Sequence, residues 1–568
     1  MKVETKNIKW FVLLVLVIAG FFIYANSFSN KLFWDDDDTI TNNVYTKDLS
    51  NFPKYFSENL IAGSGQITNY WRPLVLSSYA ITYNSFGLNP ISYHVINLLW
   101  HILAAWLAFL FLYKLSDKFW LSFLPTLFFL VHPLQTEAVT YVSGLADPMS
   151  TAFVLAALLT YVLFRQKGNL KYLIISLLSF LLALLAKEQS ILVPALILLV
   201  EGLFFFDKNK WQASLKIFIP FAIIAVGYFL LRISILNFND ILSGADYAGV
   251  YDSSLKVRLL TFTFVFVKFL KLLFAPFNLH MAYEVIPITS IFSMAVAEFL
   301  IAIAGIAYIF KIYWQKNKLV IFGLAWFLIL LLPRTNIISI NRPLYEHWLY
   351  LPMLGFWLAL FIIIDDLLKK LKARKIIIIV VLALSLIYFG TLTIKRNIIW
   401  RDPITFYEYN LKFTPNSFIQ RNNLGMAYSD AGRNAEAIYQ YKTAISIKDI
   451  YPQIHFNLGN ALVATGKEAE AETEYYKSIN ISPGFSLAYS RLVMLAIKDK
   501  DESKISAVLD KIKENFPESY YLNTAFEIYY YQGNYQEART IGQEIMAKYP
   551  EDEKVGLMLL QINLNNLQ

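Results

Sequence analysis

The chain lacks cysteine altogether and has few charged residues. None of its 568 residues is Cys, and Asp, Glu, Lys and Arg together make up only 16% of them. The absence of cysteine excludes a disulfide framework and thiolate chemistry, although it leaves the cellular compartment undecided. Hydrophobic residues make up 57% of the chain, and the mean hydropathy is +0.46. Because a soluble protein of this length is less apolar, the composition predicts a multi-pass membrane protein.

The balance of charge is positive, with a formal net charge of +8 and an isoelectric point near 9.0. Membrane proteins concentrate their Lys and Arg residues in cytoplasmic loops. The excess of positive charge therefore fits a membrane protein, and it gives no argument for nucleic-acid binding.

Long apolar runs recur through the first two thirds of the chain. The first, residues 10–25, follows three lysines, and we interpret it as an uncleaved anchor; the alternative is a signal peptide cleaved near Ala25. Ten further segments are long enough, or nearly so, to cross about 30 Å of hydrocarbon as a helix. They lie near residues 91–113, 119–132, 147–165, 170–186, 188–206, 214–236, 291–310, 319–332, 347–364 and 376–394. Hydropathy thus predicts about eleven transmembrane helices.

The predicted orientation depends on residues 258–277, an apolar stretch that Lys268 and Lys271 interrupt. If this stretch lies in the membrane interface, every short basic loop falls on the cytoplasmic side together with Met1. We therefore predict an interfacial segment. The polar stretches near residues 35, 72, 132, 187 and 342, and everything after residue 394, are then expected on the opposite face.

The C-terminal part of the chain contains an internal repeat. Residues 423–428 recur as residues 457–462, and this spacing of about 34 residues is typical of tetratricopeptide repeats. A third repeat near residues 486–518 has Val493 where glycine is expected, and residues 533–538 indicate a fourth. Such repeats bury their apolar faces by stacking, which predicts a short α-helical solenoid with a concave binding face. The predicted domains are a membrane domain at 1–394 with an outer loop at 26–90, a linker at 395–416 and a repeat domain at 417–568.

Four consecutive carboxylates, Asp35 to Asp38, follow the first apolar run. Neighbouring carboxylates raise one another's pKa, so a proton-accepting role for Asp35, with Asp36 tuning its pKa, is one interpretation. The alternatives are a solvated acidic loop or a loop that meets a divalent cation.

Several other polar residues stand at the predicted membrane boundaries, where they are costly unless they face a cavity. Arg72, Arg342 and Lys187 are candidates for binding a phosphate group, although boundary cations also snorkel to lipid headgroups. His94 and Asn97 lie on one stripe of the second span, together with His101. We interpret them, and likewise the polar residues His132, Glu137 and Asp147, as structural or pocket-lining, because a metal site would need further ligands.

Taken together, seven short motifs resemble those of one known family. They are Trp34-Asp35-Asp36-x-x-Thr-Ile, Tyr70-Trp71-Arg72-Pro73-Leu74, Tyr93-His94-x-x-Asn97-x-x-x-His101, His132-Pro133-x-x-Thr136-Glu137, Gly144-x-Ala146-Asp147, Lys187-Glu188-Gln189 and Glu346-His347-x-x-Tyr350-Leu351-Pro352. In this order, and followed by repeats, they resemble the transmembrane and tetratricopeptide-repeat-containing O-mannosyltransferases and their bacterial relatives. Relatives often have arginine where this chain has Trp348, so Arg342 or Arg334 is expected to supply that charge.

The resemblance implies an all-α, polytopic GT-C glycosyltransferase followed by a tetratricopeptide-repeat solenoid. Such proteins take a sugar from a polyprenyl-phosphate carrier on the non-cytoplasmic side. The acidic pair implies Asp35 and Asp36 as catalytic residues, and Arg72, Arg342, Lys187 and His347 as residues that hold the donor phosphate. The remaining motif residues are expected to line the pocket: His94, Asn97, His132, Glu137, Asp147, Glu188, Glu346 and Tyr350.

The expected reaction is an inverting transfer of one sugar, most simply mannose, to Ser or Thr hydroxyls of extracytoplasmic proteins. No cofactor and no divalent metal are expected, because a phosphate monoester is a fair leaving group. The expected partners are the lipid-linked donor, the bilayer and an acceptor protein that the repeats bind, in a bacterial cytoplasmic membrane. The alternatives are a ligase or polymerase of lipid-linked glycans and a non-catalytic membrane scaffold; an inverted repeat of broken helices, typical of transporters, is not evident.

Overall fold

The computed structural model describes residues 5–207, 209, 211–235, 253–281, 283–338, 342–370 and 375–565. All regular secondary structure within these ranges is helical. The chain forms two compact units, Met1–Phe406 and Tyr407–Gln568. The expectation of an all-α protein is therefore confirmed.

The first unit is built from α-helices joined by short 3₁₀ and π turns, and one further helix, Pro403–Asn410, lies at its boundary with the second unit. The helices are α1 (Thr5–Tyr24), α2 (Val44–Lys47), α3 (Lys54–Ser57), α4 (Pro73–Phe86), α5 (Pro90–Ser116), α6 (Phe119–Val131), α7 (Thr136–Val139), α8 (Ala146–Lys167), α9 (Leu170–Ala186), α10 (Val193–Val200), α11 (Trp211–Leu230), α12 (Leu255–Phe274), α13 (Met294–Tyr313), α14 (Lys318–Leu331), α15 (Pro352–Lys370), α16 (Lys375–Ile399) and α17 (Pro403–Asn410). One large apolar core runs through α1, α5, α6, α8, α9, α10, α12, α14 and α15.

Each of the eleven apolar segments predicted to span the membrane is helical. Within the described residues, eight helices are long and apolar enough to cross a bilayer. The helices α6 and α9 are shorter, at 13 and 17 residues, and α15 ends in a charged turn that begins at Asp365. The predicted interfacial stretch forms α12, which does not qualify as a span. The chain is therefore a multi-pass membrane protein; among the described residues, eight of the eleven predicted spans qualify by length, and the shorter or charged helices α6, α9 and α15 correspond to the other three.

The predicted outer loop at residues 26–90 is folded. It contains α2, α3 and α4, and a second apolar core links Val75, Leu76 and Tyr79 of α4 to Tyr93 of α5. The sequence predicts helix at residues 74–83, and Pro73 begins it, because proline at the first helical position leaves no hydrogen bond unmade. The residues of this loop are therefore held by a packed core of their own.

The division between the units falls inside the segment predicted as a linker. Helix α16 continues to Ile399, beyond residue 394. Trp400 and Phe406 are buried, and their rings lie 4.4 Å apart. Residues 395–406 thus pack within the first unit, because their large aromatic side chains bury apolar area there.

The second unit consists of four helical hairpins and a final helix. The pairs are α18 and α19 (Phe418–Asp430, Asn434–Ile447), α20 and α21 (Pro452–Ala464, Glu468–Ile481), α22 and α23 (Ser486–Asp499, Glu502–Asn515), and α24 and α25 (Glu518–Tyr531, Tyr535–Lys548), followed by α26 (Glu553–Asn565). In the first two pairs a glycine permits close helix packing: a Cβ added at Gly425 or Gly459 would lie 2.5 Å from a tyrosine ring atom of the facing helix.

One buried histidine in this unit lies between two carboxylates. His455 Nδ1 is 2.6 Å from Glu474 Oε2, and its Nε2 is 2.7 Å from Asp449 Oδ1. Burial opposes the charged form of the ring, but the two carboxylates outweigh burial and raise the pKa of His455 above 6.5. The protonated imidazole therefore stabilises the folded repeats.

We expect the repeat helices around His455 to lose stability as pH rises. A folded-state pKa above that of the unfolded chain stabilises fully below about pH 6.5 and not at all well above the folded-state pKa. Hydrogen exchange of α20 and α21 in the full chain, corrected for intrinsic exchange, should show protection falling roughly tenfold between pH 6 and pH 9, as expected for a lost charge-assisted hydrogen bond. Helices α24 and α25 are the internal control, and equal changes in both pairs would contradict this prediction.

Candidate active site

A cavity of about 220 Å³ opens within the first unit, and several of the predicted site residues line it. Its wall is formed by Trp34, Asp35, Tyr70, Arg72, Glu137, Tyr141, Ser143, Gly144, Asp147, Lys187, Glu188, Gln189, Met281, Arg334, Tyr345, His347 and Trp348. The wall thus draws on six of the seven sequence motifs. Position 144 requires glycine for a steric reason, because a Cβ there would lie 2.7 Å from the Glu137 carbonyl oxygen.

The two acidic residues of the first motif point in different directions. Trp34 has a left-handed backbone conformation, with φ of 65°, and its ring stacks on Tyr141 at 5.5 Å. The turn leaves the Asp35 side chain exposed in the cavity wall. Asp36 is buried, and its Oδ1 accepts hydrogen bonds from the Ser143 backbone N–H at 2.8 Å and from the Ser143 hydroxyl at 2.5 Å. Asp36 therefore anchors the turn, and Asp35 is the accessible carboxylate.

Both carboxyl groups are harder to ionise than an ordinary aspartate. Asp35 is open to the cavity but surrounded by protein, and this burial around its carboxyl group raises its pKa above 3.8, while the nearby Tyr141 hydroxyl opposes the rise. Burial likewise raises the pKa of Asp36 to about 7, against its hydrogen bonds from Ser143. A raised pKa makes the Asp35 carboxylate a stronger proton acceptor.

Two of the predicted phosphate-binding cations are already neutralised by carboxylates. Arg72 donates two hydrogen bonds to Glu188, from Nε at 3.1 Å and from Nη2 at 2.8 Å. Lys187 Nζ lies 2.6 Å from Asp147 Oδ1, and both side chains are buried. These pairs balance their own charges, because a buried ion pair satisfies the cation that it contains.

Arg334 differs from these cations. It is 6% exposed, lies in the cavity wall, and has no carboxylate within ion-pair distance among the described residues. Its guanidinium lies 3.7 Å above the Trp348 ring, and its Nε has no hydrogen-bond partner there. Relatives often have arginine at position 348, and in this chain that position is the tryptophan on whose ring Arg334 stacks. Arg342 lies outside the wall, near Tyr345, and its charge lowers the pKa of Asp35 less than burial raises it.

Two further acids hold the start of the motif at residues 346–352. Glu137 Oε2 accepts the backbone N–H groups of Glu346 at 2.8 Å and His347 at 3.0 Å. Its Oε1 lies 2.7 Å from His347 Nδ1. Glu346 is buried outside the wall, where it forms an ion pair with Arg396 at 2.9 Å. Burial raises the pKa of Glu137 and of Glu346 to about 7.

The polar residues of α5 and the histidine after α6 do not line the cavity. Asn97 donates to the backbone carbonyls of Tyr141 at 3.1 Å and Val142 at 3.0 Å, so it supports the turn that carries Ser143. His94 bonds the Asn30 carbonyl, His132 bonds the Leu273 carbonyl, and Tyr350 bonds His101. Their hydrogen bonds connect buried segments that are far apart in sequence, a role that sequence spacing does not separate from pocket lining.

Some of the predicted site residues line the cavity, and others do not. Those in the wall are Asp35, Arg72, Lys187, His347, Glu137, Asp147 and Glu188; those outside it are Asp36, Arg342, His94, Asn97, His132, Glu346 and Tyr350. The motifs alone do not identify Tyr141, Ser143 and Tyr345, whose only signal is their position between motif residues. The described residues contain no group of three metal-ligating side chains, and metal independence stays a prediction.

Comparisons with known proteins agree with this architecture. Sequence profiles described as a TPR repeat and a tetratricopeptide repeat match residues 425–466 and 452–485. A protein O-mannosyl-transferase of Caenorhabditis elegans is 27% identical over 463 residues, which cover 78% of this chain and 63% of the relative. Protein O-mannosyl-transferase TMTC3 of Homo sapiens is 26% identical over 527 residues, which cover 84% of this chain and 55% of the relative.

Among solved structures, ArnT from Cupriavidus metallidurans bound to undecaprenyl phosphate aligns with a TM-score of 0.39 at 13% identity, over 85% of this chain and 80% of that one. The chain spans 55–63% of the length of the two curated relatives above. The predicted resemblance to the transmembrane and tetratricopeptide-repeat-containing O-mannosyltransferases is confirmed, and so are the repeats.

Proposed function

We propose that this protein is a GT-C membrane glycosyltransferase that moves one sugar, mannose, from a polyprenyl phosphate to a Ser or Thr hydroxyl of an extracytoplasmic protein. The names of the curated relatives support the reaction class. The observation that carries the proposal is that one cavity presents both a carboxylate, Asp35, and a buried guanidinium without a carboxylate partner among the described residues, Arg334.

A displacement at the sugar carbon C1 needs a base for the attacking hydroxyl and a positive charge for the leaving phosphate, and the two groups supply these. Asp35 accepts the proton of the acceptor hydroxyl as its oxygen bonds to C1 from the face opposite the phosphate. The bond between C1 and the phosphate oxygen breaks, and the polyprenyl phosphate leaves with one additional negative charge. Arg334 stabilises that charge, and the sugar is transferred with inversion. Atoms and charge balance without a cofactor.

A direct transfer assay tests the proposal. The full chain, in lipid nanodiscs, is supplied with polyprenyl-phosphate mannose labelled in the sugar and with Ser- and Thr-containing peptides from secreted proteins of the host. Label on the peptide supports the proposal, and label on a lipid-linked glycan instead would establish the ligase alternative. No transfer to either acceptor, together with identical extracytoplasmic glycopeptide masses in hosts with and without the gene, would favour the scaffold alternative.

The proposed location is a bacterial cytoplasmic membrane, with the N-terminus inside and the repeats outside. We expect reporter fusions after Lys171, Lys318 and Lys375 to report cytoplasm and a fusion after Gln568 to report the outside, because this arrangement keeps the short basic loops inside. A cytoplasmic signal at Gln568 would contradict the orientation and would mean that α12 crosses the membrane.

A further inference from the structure

The cavity wall contains a histidine whose two ring nitrogens have different surroundings. His347 Nδ1 faces Glu137 Oε1 at 2.7 Å. The other oxygen of Glu137 already accepts two backbone N–H groups, at 2.8 and 3.0 Å. These donors oppose the burial that raises the pKa of Glu137 to about 7, so above that pH the carboxyl group is ionised and only accepts hydrogen bonds. The proton of the imidazole is therefore on Nδ1.

The second nitrogen, Nε2, then has a bare lone pair. It has no hydrogen-bond partner among the described residues, and the side chain is 22% exposed, in the wall of the cavity. Tyr345 stacks on the ring at a centroid distance of 5.1 Å and limits its rotation. The structure thus holds a fixed hydrogen-bond acceptor at the cavity surface.

The ring is held in its neutral form by the groups around it. Burial lowers the pKa of His347 to about 3; Asp147 opposes this shift, and Lys187, Arg334 and Arg72 add to it. A neutral ring cannot serve as the cation that the motif predicts for phosphate binding. An unprotonated Nε2 would instead repel a phosphate, which offers lone pairs and no proton.

We propose that His347 Nε2 accepts a hydrogen bond from a hydroxyl of the sugar that the donor carries. The inference rests on the proposed function and adds a determinant of sugar recognition to it. The position fits, because Arg334 stacks on Trp348, the residue that follows His347. The Trp348 ring also lies 6.0 Å from the His347 ring, and Arg334 and His347 line the same cavity, so a phosphate bound by Arg334 places its sugar beside the imidazole.

The proton position is measured without any substrate. The full chain is labelled with ¹⁵N in its histidine rings and studied in nanodiscs at pH 8, above the pKa of Glu137, and His347→Gln assigns the signal. We expect an unprotonated Nε2 in the wild-type protein, and a protonated Nε2 in Glu137→Gln, whose amide is able to donate to Nδ1. A protonated wild-type Nε2 would overturn the proposal whether or not the protein transfers sugar.

The recognised group is identified with polyprenyl-phosphate mannose and its four monodeoxy analogues at positions 2, 3, 4 and 6. We expect His347→Phe to raise the KM for the full donor about three- to tenfold, the effect of one neutral hydrogen bond, with little change in kcat. His347→Gln, whose side-chain oxygen is able to replace Nε2 as acceptor, should recover part of the loss. With one analogue the wild-type protein and His347→Phe should have the same KM, because the hydroxyl and its partner are then both missing.

The outcomes separate this inference from the proposed function. Suppose that the wild-type protein transfers the sugar, and that each His347 substitution raises the KM by the same factor for the full donor as for all four analogues. His347 then recognises no sugar hydroxyl, and the proposed function stands. If the wild-type protein transfers no sugar, the proposed function fails, and sugar recognition by His347 fails with it. A loss in His347→Phe that falls on kcat alone would assign the ring to the chemical step and would also overturn the proposal.

Discussion

Replacing Asp35 by Asn should lower the rate of sugar transfer about 10²- to 10⁴-fold, the usual cost of removing a general base. The amide has nearly the same shape as the carboxylate but does not accept a proton from the acceptor hydroxyl. Donor affinity should change little, because this interaction forms only in the transition state. Single-turnover transfer rates, measured with a separate assay of donor binding, check both parts. In the wild-type protein the rate should rise with pH through a pKa above 3.8, since burial raises the pKa of Asp35 and the base acts only when ionised.

Asp37→Asn is the matched control for Asp35→Asn. It makes the same chemical change two residues away, on an exposed side chain. Asp36→Asn should weaken the turn instead, because the Phe33 N–H donates to the second Asp36 oxygen at 3.2 Å and an amide nitrogen there would not accept it. Near-normal transfer in Asp35→Asn together with loss in Asp36→Asn would reverse the two roles.

Replacing Arg334 by Ala should weaken binding of the lipid-linked donor roughly ten- to hundredfold, since hydrogen bonds to charged groups contribute about 1.5–3 kcal/mol. Arg334→Lys keeps the charge but loses the planar contact with the Trp348 ring. We therefore expect Arg334→Lys to fall between the wild-type protein and Arg334→Ala. Titration of each purified variant with polyprenyl-phosphate mannose measures the difference.

Arg342→Ala is the informative comparison for Arg334→Ala. Arg342 is the other arginine that the sequence offers in place of the one missing at position 348, and it lies outside the cavity wall. A larger loss of donor affinity in Arg342→Ala would transfer the phosphate contact to that residue. Arg72→Ala is a poor control, because it leaves the Glu188 carboxylate without its partner and so changes the cavity twice.

Hydropathy and repeat spacing predicted the architecture well because both depend on local sequence. Apolar runs gave the helices of the first unit, and the glycines at 425 and 459 marked the repeats, where each permits contact with a facing tyrosine. Hydropathy falls after residue 394 and therefore predicts a boundary there. Hydropathy does not register that Asn397 and Trp400 pack back on the start of the chain, since that contact depends on residues far apart in sequence.

The sequence predicts which residues form the site better than it predicts their charge states. The motifs selected Arg72 and Lys187 as free cations, but residues 116 and 40 positions away neutralise them. The resemblance implies that His347 holds the donor phosphate, whereas Glu137, 210 positions earlier, lies at its Nδ1 and so influences which ring nitrogen carries the proton. Charge state depends on partners brought together by folding, and residue type alone does not specify them.

The packing of residues 395–406 against the start of the chain orders the steps in which the turn at Asp35 is assembled. Asn30 donates to the Asn397 carbonyl at 2.9 Å, a contact between residues 367 positions apart. The Tyr141 ring is stacked between Trp34 and Trp400, next to Asp35. Asp35 is translated before Asn397, which lies in the last turn of α16, and before Trp400, which follows that helix. During synthesis the turn that carries Asp35 therefore lacks these contacts until α16 has been made.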